Sequence, residues 1–176
     1  MQLRPATPQD AAFAAPLIAE AYGPLAQALT AQQDRAGAIA LLQDWFCQEP
    51  HRLGLMVRYS GEEAAQLEAP MRAHLRALGK RGDFPTEARA GELYIDALAT
   101  APEARGRGVG LALLRAAQAE AAQRHLRGAA LLVEPGNPAE RLYARAGFQP
   151  RGELLLPGHA DAHRDLFWPV PPEAGR

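Results

Sequence analysis

Residues 92–114 have the sequence ELYIDALATAPEARGRGVGLALL, which combines an apolar run with three closely spaced glycines. Its apolar first part predicts a strand over 92–100, and the regular apolar spacing after the glycines predicts a helix over 107–127. Glycine has no side chain, so it leaves backbone N–H groups open at the start of this helix, where the helix dipole favours an anion. The stretch therefore predicts a phosphate or diphosphate site. The three glycines of this loop are Gly106, Gly108 and Gly110.

Other phosphate-binding loops fit this stretch less well. A Walker A loop has lysine and then serine or threonine after its last glycine, whereas Gly110 is followed by Leu111 and Ala112. The dinucleotide-binding pattern G-x-G-x-x-G requires a third glycine where this chain has Leu111. These differences argue against a nucleoside triphosphatase and against a dinucleotide enzyme. They leave a diphosphate site whose positive charge comes from Arg105 and Arg107.

The rest of the chain alternates between predicted strands and helices. Residues 79–91 are rich in glycine, proline and charge and read as a loop. The alternation predicts an α/β fold with helices packed on a mixed sheet, and the last two strands should be antiparallel because no helix separates them. The further strands are predicted over 2–4, 51–59, 129–134, 153–156 and 163–170, and the further helices over 8–22, 36–46, 62–78 and 138–146.

The composition is that of one globular domain over residues 1–176. Hydrophobic residues make up 48% and charged residues 22%, and the formal net charge of -1 provides no positive field for nucleic acid or an anionic membrane. Cys47 is the single cysteine, and together with the lack of an apolar leader it predicts a cytoplasmic location. The histidines are scattered and form no metal-ligand motif, so no metal site is predicted.

Two segments of the chain match the conserved patterns of one family. Arg105, Gly108 and Gly110 occupy the defined positions of the pattern Gln/Arg-x-x-Gly-x-Gly/Ala. Residues 133–148, VEPGNPAERLYARAGF, match a later block with a strand, an asparagine, a Leu-Tyr pair and a Gly-Phe pair. On these residues the chain resembles the GNAT superfamily of N-acetyltransferases, most strongly over 92–148.

The resemblance implies both a fold and an activity. The fold is a mixed, mostly antiparallel central sheet flanked by helices. Relatives carry a hairpin before the glycine loop, and here only 51–59 reads clearly as strand, which leaves open a reduced or missing second strand. The implied activity is direct transfer of an acetyl group from acetyl-CoA to a primary amine in a ternary complex, by an enzyme that is commonly a homodimer. The alternative is an acyl-CoA-binding sensor without catalysis.

The same resemblance implies the cofactor contacts. The loop would hold the diphosphate of acetyl-CoA, and a backbone N–H at the end of the preceding strand would stabilise the oxyanion. Tyr143 would protonate the leaving thiolate, a role that suits a neutral phenol. Asn137 either binds the CoA arm or only caps the turn before Pro138. The implied cofactor-binding residues are Leu98, Ala99, Thr100, Arg105, Gly106, Arg107, Gly108, Val109, Gly110, Asn137 and Tyr143.

An amine acceptor also requires a group that removes its proton, because an aliphatic amine has a pKa of about 10 and is mostly an ammonium ion at neutral pH. Period-two alternation places Glu92, Tyr94 and Asp96 on one face of the strand. Asp96 is the first candidate for the base and Glu92 the second. The structural alternatives are a solvated strand start for Glu92 and a helix cap or an ion pair for Asp96. His159 and His163 either line the substrate mouth or are loop histidines. The opposite face of the strand would carry Leu93, Ile95 and Ala97.

Overall fold

The computed structural model describes residues 4, 6–22, 34–48, 56–60, 76–77, 87–156 and 160–172. Some of the predicted elements fall outside these residues. They include most of the strand at 2–4, most of the helix at 62–78 and the loop up to residue 86. His159 and the segment 49–55, where a reduced second strand would lie, are also outside the described part of the chain.

The helices form close to where the sequence predicts them. The third is shorter than the predicted 107–127, because Gly108 before it has a φ of +79° and His125 after it has a φ of +54°, both outside the helical region. A 3₁₀ turn, Pro8–Asp10, leads into the first helix, which ends before the predicted Gly-Pro break. The described helices are α1 (Ala11–Tyr22), α2 (Arg35–Gln48), α3 (Val109–Gln123) and α4 (Glu140–Arg145).

The strands also follow the predicted order, with one clear shift. The penultimate strand was expected over 153–156 and instead covers 149–154, because Pro150 and Gly152 lie at an irregularity in the strand pairing and not in a turn. Of the strand predicted over 51–59, the structure describes the part from Met56 onwards. The described strands are β1 (Met56–Ser60), β2 (Glu92–Leu98), β3 (Gly128–Val133), β4 (Gln149–Leu154) and β5 (His163–Pro169).

The strands form one mixed sheet. In the part of the chain that the structure describes, the sheet has five strands in the order β1-β2-β3-β5-β4. The β2–β3 pair is parallel, and the β1–β2, β3–β5 and β4–β5 pairs are antiparallel. The mixed, mostly antiparallel sheet is therefore confirmed, as is the antiparallel pairing of the last two strands.

A β-bulge interrupts β2 at Asp96. The pairing with β1 passes from Val57 opposite Ala97 directly to Arg58 opposite Ile95, so Asp96 is an additional residue without a partner in the register. An extra residue reverses the alternation of side chains beyond it. Ala97 consequently does not join Ile95, and the prediction that the two share a face is wrong.

Two apolar cores show the effect of this reversal. One core packs α3 and α4 on the sheet, and from β2 it takes Leu93 and Ile95 before the bulge but Leu98 after it. The other core packs α1 against α2 and takes Ala97. The bulge therefore allows a single strand to serve both helix layers at its carboxyl end. That end is where the glycine loop begins.

Candidate active site

A cleft opens where β2 and β3 separate. The two strands pair in parallel only from Glu92 opposite Gly128 to Tyr94 opposite Ala130. Beyond that point they diverge and enclose a cleft of about 870 Å³. The cleft lies at the carboxyl ends of two parallel strands, a common place for a ligand in α/β folds. Its lining consists of Leu17, Glu20, Ala21, Tyr22, Glu87, Tyr94, Asp96, Ala97, Leu98, Ala99, Thr100, Arg105, Gly106, Leu132, Val133, Glu134, Asn137, Pro138, Ala139, Leu142, Tyr143, Leu156 and His163.

The glycine loop has the backbone geometry of an anion cradle. Gly106 and Gly108 have φ values of +74° and +79°, and an added Cβ at either position would meet no protein atom within 4 Å. The open space beside the backbone is therefore available to a ligand. The described backbone hydrogen bonds of α3 begin with the Ala112 N–H, which donates to the Gly108 carbonyl at 3.0 Å. The amides before it at the helix start point along the helix dipole, towards the place an anion would occupy.

The predicted cofactor residues divide into two groups by position. Residues 98–100, Arg105 and Gly106 line the cleft, as do Asn137 and Tyr143. The rest of the loop lies outside the lining and connects Gly106 to α3. That second group consists of Arg107, Gly108, Val109 and Gly110.

Arg105 joins the loop to α1. Its Nε donates to the Thr100 carbonyl at 3.0 Å, and its guanidinium lies 2.6 Å from the Glu20 carboxylate. About half of each charged side chain is exposed, 54% for Arg105 and 48% for Glu20. Arg107 is exposed and makes no ion pair within the described residues. The two predicted phosphate ligands therefore differ in availability. A bound anion would compete with Glu20 for Arg105 but would meet no such competitor at Arg107 among the described residues.

Tyr143 is held rigidly at the wall of the cleft. It lies on α4, its ring packs edge-on against Phe148 with centroids 6.3 Å apart, and its carbonyl accepts the Phe148 N–H at 3.0 Å. Burial raises the pKa of Tyr143 to about 12. Within the part of the chain that is described, its hydroxyl makes no hydrogen bond. A protonated phenol therefore lines the cleft as a donor over the whole neutral range.

Two carboxylates of the cleft are each hydrogen-bonded to a tyrosine. Asp96, at the bulge, accepts a hydrogen bond from the Tyr22 hydroxyl at the end of α1. Glu87 accepts one from the Tyr94 hydroxyl. All four side chains line the cleft, so the predicted base Asp96 shares it with Tyr143. The contributions of Tyr22 and Glu87 were not predicted, since no local pattern connects residues so far apart in the chain.

Glu92, the second candidate for the base, lies elsewhere. It is 3% exposed, and both its oxygens accept hydrogen bonds from Arg151, at 2.7 and 2.8 Å. The Arg151 guanidinium also binds Asp165 at 3.0 Å and stacks 4.6 Å from the centroid of the Phe167 ring. Glu92 does not line the cleft. Its carboxylate is committed to a buried ion pair, so the solvated strand start that the sequence left open for Glu92 is wrong.

Asn137 has a local role as well as a place in the cleft. Its side-chain oxygen accepts the Ala139 N–H at 2.9 Å, which caps the turn that leads into α4. Both alternatives that the sequence left open for Asn137 are therefore compatible with its position, because it also lines the cleft. His163 is the first residue of β5, is 7% exposed and also lines the cleft.

Among the residues described, no group of three or more His, Cys, Asp or Glu side chains is placed to hold a metal ion. None of the helices in the same residues has the length and apolar character required to cross a membrane.

Comparison with known proteins shows several similar folds. An acetyltransferase of known structure is 23% identical, with a TM-score of 0.69 over 97% of this chain and 100% of that one. An N-acetyltransferase from Staphylococcus aureus Mu50 is 20% identical, with a TM-score of 0.73 over 96% and 100%. A PaiA N-acetyltransferase from Thermoplasma acidophilum, solved in complex with coenzyme A, is 12% identical, with a TM-score of 0.50 over 96% and 98%. No curated protein matches the sequence.

The family assignment comes from the sequence as well as from the fold. The acetyltransferase (GNAT) family matches residues 18–148, a segment that includes Asp96, the glycine loop and Tyr143. Enzymes of this family transfer acetyl groups and use acetyl-CoA. The matched segment is most of the chain, and the solved neighbours share its fold. This chain therefore belongs to the acetyltransferase (GNAT) family.

Proposed function

We propose that this protein transfers the acetyl group of acetyl-CoA directly to a primary amine while both are bound. The observation that carries the proposal is that Gly106 of the glycine loop, Tyr143 and Asp96 all line one cleft. A diphosphate at the loop would direct the rest of the cofactor between β2 and β3. An amine would approach from the Asp96 side.

The residues at the loop fit acetyl-CoA. Its diphosphate requires amides and positive charge, which the start of α3, Arg105 and Arg107 supply. A Cβ at Gly106 or Gly108 would enter the space beside those amides, where the chain itself places no atom. When bound, acetyl-CoA supplies the thioester carbonyl that the amine attacks. The protein's contribution is to orient both reactants and to stabilise the charge that develops.

Each wall of the cleft contributes one part of the chemistry. The backbone at Leu98–Thr100 borders the cleft and can donate an N–H to the developing oxyanion. Tyr143, neutral because burial raises its pKa to about 12, donates a hydrogen bond to the sulfur as the thiolate leaves. Asp96 and Glu87 favour the approach of an ammonium ion. The cleft therefore has separate groups for the leaving sulfur, the carbonyl oxygen and the amine.

A screen of simple primary amines tests the activity. Benzylamine, spermidine and a lysine peptide are incubated with acetyl-CoA, and the free thiol is followed. Thiol release that requires both the protein and an amine supports the proposal. Tight CoA binding without turnover for any amine would instead indicate the sensor.

The first prediction concerns the anion cradle. Gly108→Val should raise the Kd for CoA at least tenfold, about 1.4 kcal/mol, because a β-branched residue is strained at a φ of +79° and its side chain enters the ligand space. Calorimetric titration with CoA measures the Kd. Gly91→Val is the matched control, since Gly91 has a φ of +73° but precedes β2, away from the loop. Equal CoA affinity in the two variants would disprove the cradle.

The second prediction concerns the Glu20–Arg105 ion pair. Glu20→Gln should lower the Kd for CoA about threefold, because the diphosphate no longer competes with a carboxylate and exposed ion pairs contribute less than about 1 kcal/mol. The gain should vanish when Arg105→Gln is also present. Pantetheine, which lacks the diphosphate, serves as the control ligand. If Glu20→Gln improves pantetheine binding by the same factor, competition for Arg105 is not the cause.

A further inference from the structure

The cleft is lined by one histidine, His163, among the residues that the structure describes. His163 is the first residue of β5, and its ring is on the lining that Tyr143 and Asp96 share. It is 7% exposed, so protein atoms cover almost all of the residue. Buried polar residues at such positions often have a function beyond packing.

His163 is paired with a carboxylate that reaches solvent. Val133, the last residue of β3, is paired with Arg164 of β5. Because the two strands are antiparallel, Glu134, which follows Val133, lies beside His163, which precedes Arg164. The His163 Nε2 lies 3.7 Å from the Glu134 Oε1, within ion-pair distance. The two side chains differ in exposure, with 9% for His163 and 58% for Glu134. Together they connect the interior of the cleft to water.

The chemistry of the acceptor favours an imidazole over a carboxylate. The ordinary pKa of an aspartate is about 3.9 and that of a histidine about 6.5, against about 10 for an aliphatic ammonium ion. Proton transfer from the ammonium ion is therefore less unfavourable to an imidazole than to a carboxylate, by more than two pKa units. An ordinary imidazole is also still mostly neutral at pH 7. Asp96 also accepts the Tyr22 hydroxyl, which occupies one of its oxygens.

We infer that His163 is the proton acceptor for the substrate ammonium ion and that Glu134 stabilises the resulting imidazolium and leads the proton to solvent. The inference rests on the proposed amine acetylation and assigns a residue to its first step. Asp96 then attracts and orients the ammonium ion and does not take its proton. The charged and titratable described groups that share the cleft with His163 are Glu20, Tyr22, Glu87, Tyr94, Asp96, Arg105, Glu134 and Tyr143, and Asp165 follows on the same face of β5.

These residues and water account for every proton of the reaction. The neutral imidazole of His163 takes one proton from the ammonium ion. The freed nitrogen lone pair forms a C–N bond with the thioester carbonyl carbon, the C–S bond breaks, and its electron pair leaves on sulfur. Tyr143 donates its proton to sulfur and receives the second nitrogen proton in exchange. The imidazolium releases its proton to water past Glu134, which leaves an amide, a free thiol and one proton.

The pH dependence of kcat/KM tests the assignment with the fastest amine of the screen. The wild-type protein should lose activity below a midpoint within about one unit of pH 6.5. His163→Asn should lower kcat/KM at neutral pH on the order of 100-fold and remove that limb, so that the rate rises with the fraction of free amine. His125→Asn, at an exposed histidine that follows α3, is the matched control and should keep the wild-type profile.

A second variant protects the test against a folding artefact. Glu134→Gln changes an exposed side chain, and because the carboxylate favours the charged imidazole, its loss should move the acidic limb to lower pH by roughly half a unit or less. CoA affinity should stay within about twofold in both variants. If the acidic limb persists unchanged in both His163→Asn and Glu134→Gln, the assignment of His163 as proton acceptor is wrong, while the proposed acetylation of an amine still stands. No turnover with any amine overturns the proposed function, and the assignment with it.

Discussion

Gly128→Ala is expected to destabilise the fold by about 3 kcal/mol or more, because the position has no room for a side chain. An ideal Cβ at Gly128 would lie 2.1 Å from the Trp168 carbonyl oxygen and 2.6 Å from the Phe167 ring. Neither neighbour can move easily. Gly128 begins β3, which pairs with β2 on one side and β5 on the other, so a shift would break two strand pairings.

Urea unfolding monitored by circular dichroism measures this cost. Gly152→Ala is the control, because Gly152 also lies on a strand and an added Cβ there meets no atom within 4 Å. Its free energy of unfolding should stay within about 0.5 kcal/mol of the wild-type value. A cost at Gly128 no larger than at Gly152 would contradict the tight approach of β3 and β5.

Tyr143→Phe is expected to lower kcat about 100-fold, because it removes the donor to the leaving sulfur and changes nothing else in shape. The KM for acetyl-CoA should change less than about threefold, since the contact acts mainly as the thiolate forms. Stopped-flow or steady-state thiol release measures both constants. Melting temperature and CoA titration show whether the variant is folded and still binds the cofactor.

The pH dependence separates this role from that of a base. Burial raises the pKa of Tyr143 to about 12, so the phenol stays protonated well above neutral pH. The loss of kcat should therefore be the same factor between about pH 7 and pH 10. A variant that keeps wild-type kcat throughout would remove Tyr143 from the mechanism and leave it as a packing residue between α4 and Phe148.

Much of the fold could be predicted because its signals are local. The apolar run at 92–100, the three glycines and the apolar spacing of α3 specify a strand, a loop and a helix within one continuous segment. Gly106 and Gly108 both have a positive φ, which glycine adopts without steric cost. The same local logic predicted the antiparallel pairing of β4 and β5.

The arrangement of the candidate site required contacts between distant residues. Glu92 and Asp96 are both acids on one strand, and alternation alone makes them equivalent. Arg151, 59 residues after Glu92, binds the first in a buried pair, and Tyr22, 74 residues before Asp96, binds the second at the cleft. No sequence pattern near β2 contains either partner.

The order of the elements and the location of the glycine loop follow from the sequence, because each depends on neighbours within a few residues. Which side chains face the cleft depends on contacts between distant parts of the chain. The bulge at Asp96 moved Ala97 to the α1 layer, and the register of β3 and β5 brought Glu134 beside His163. Both depend on strand pairing across the sheet, and a single extra residue in such a pairing reverses every side chain beyond it.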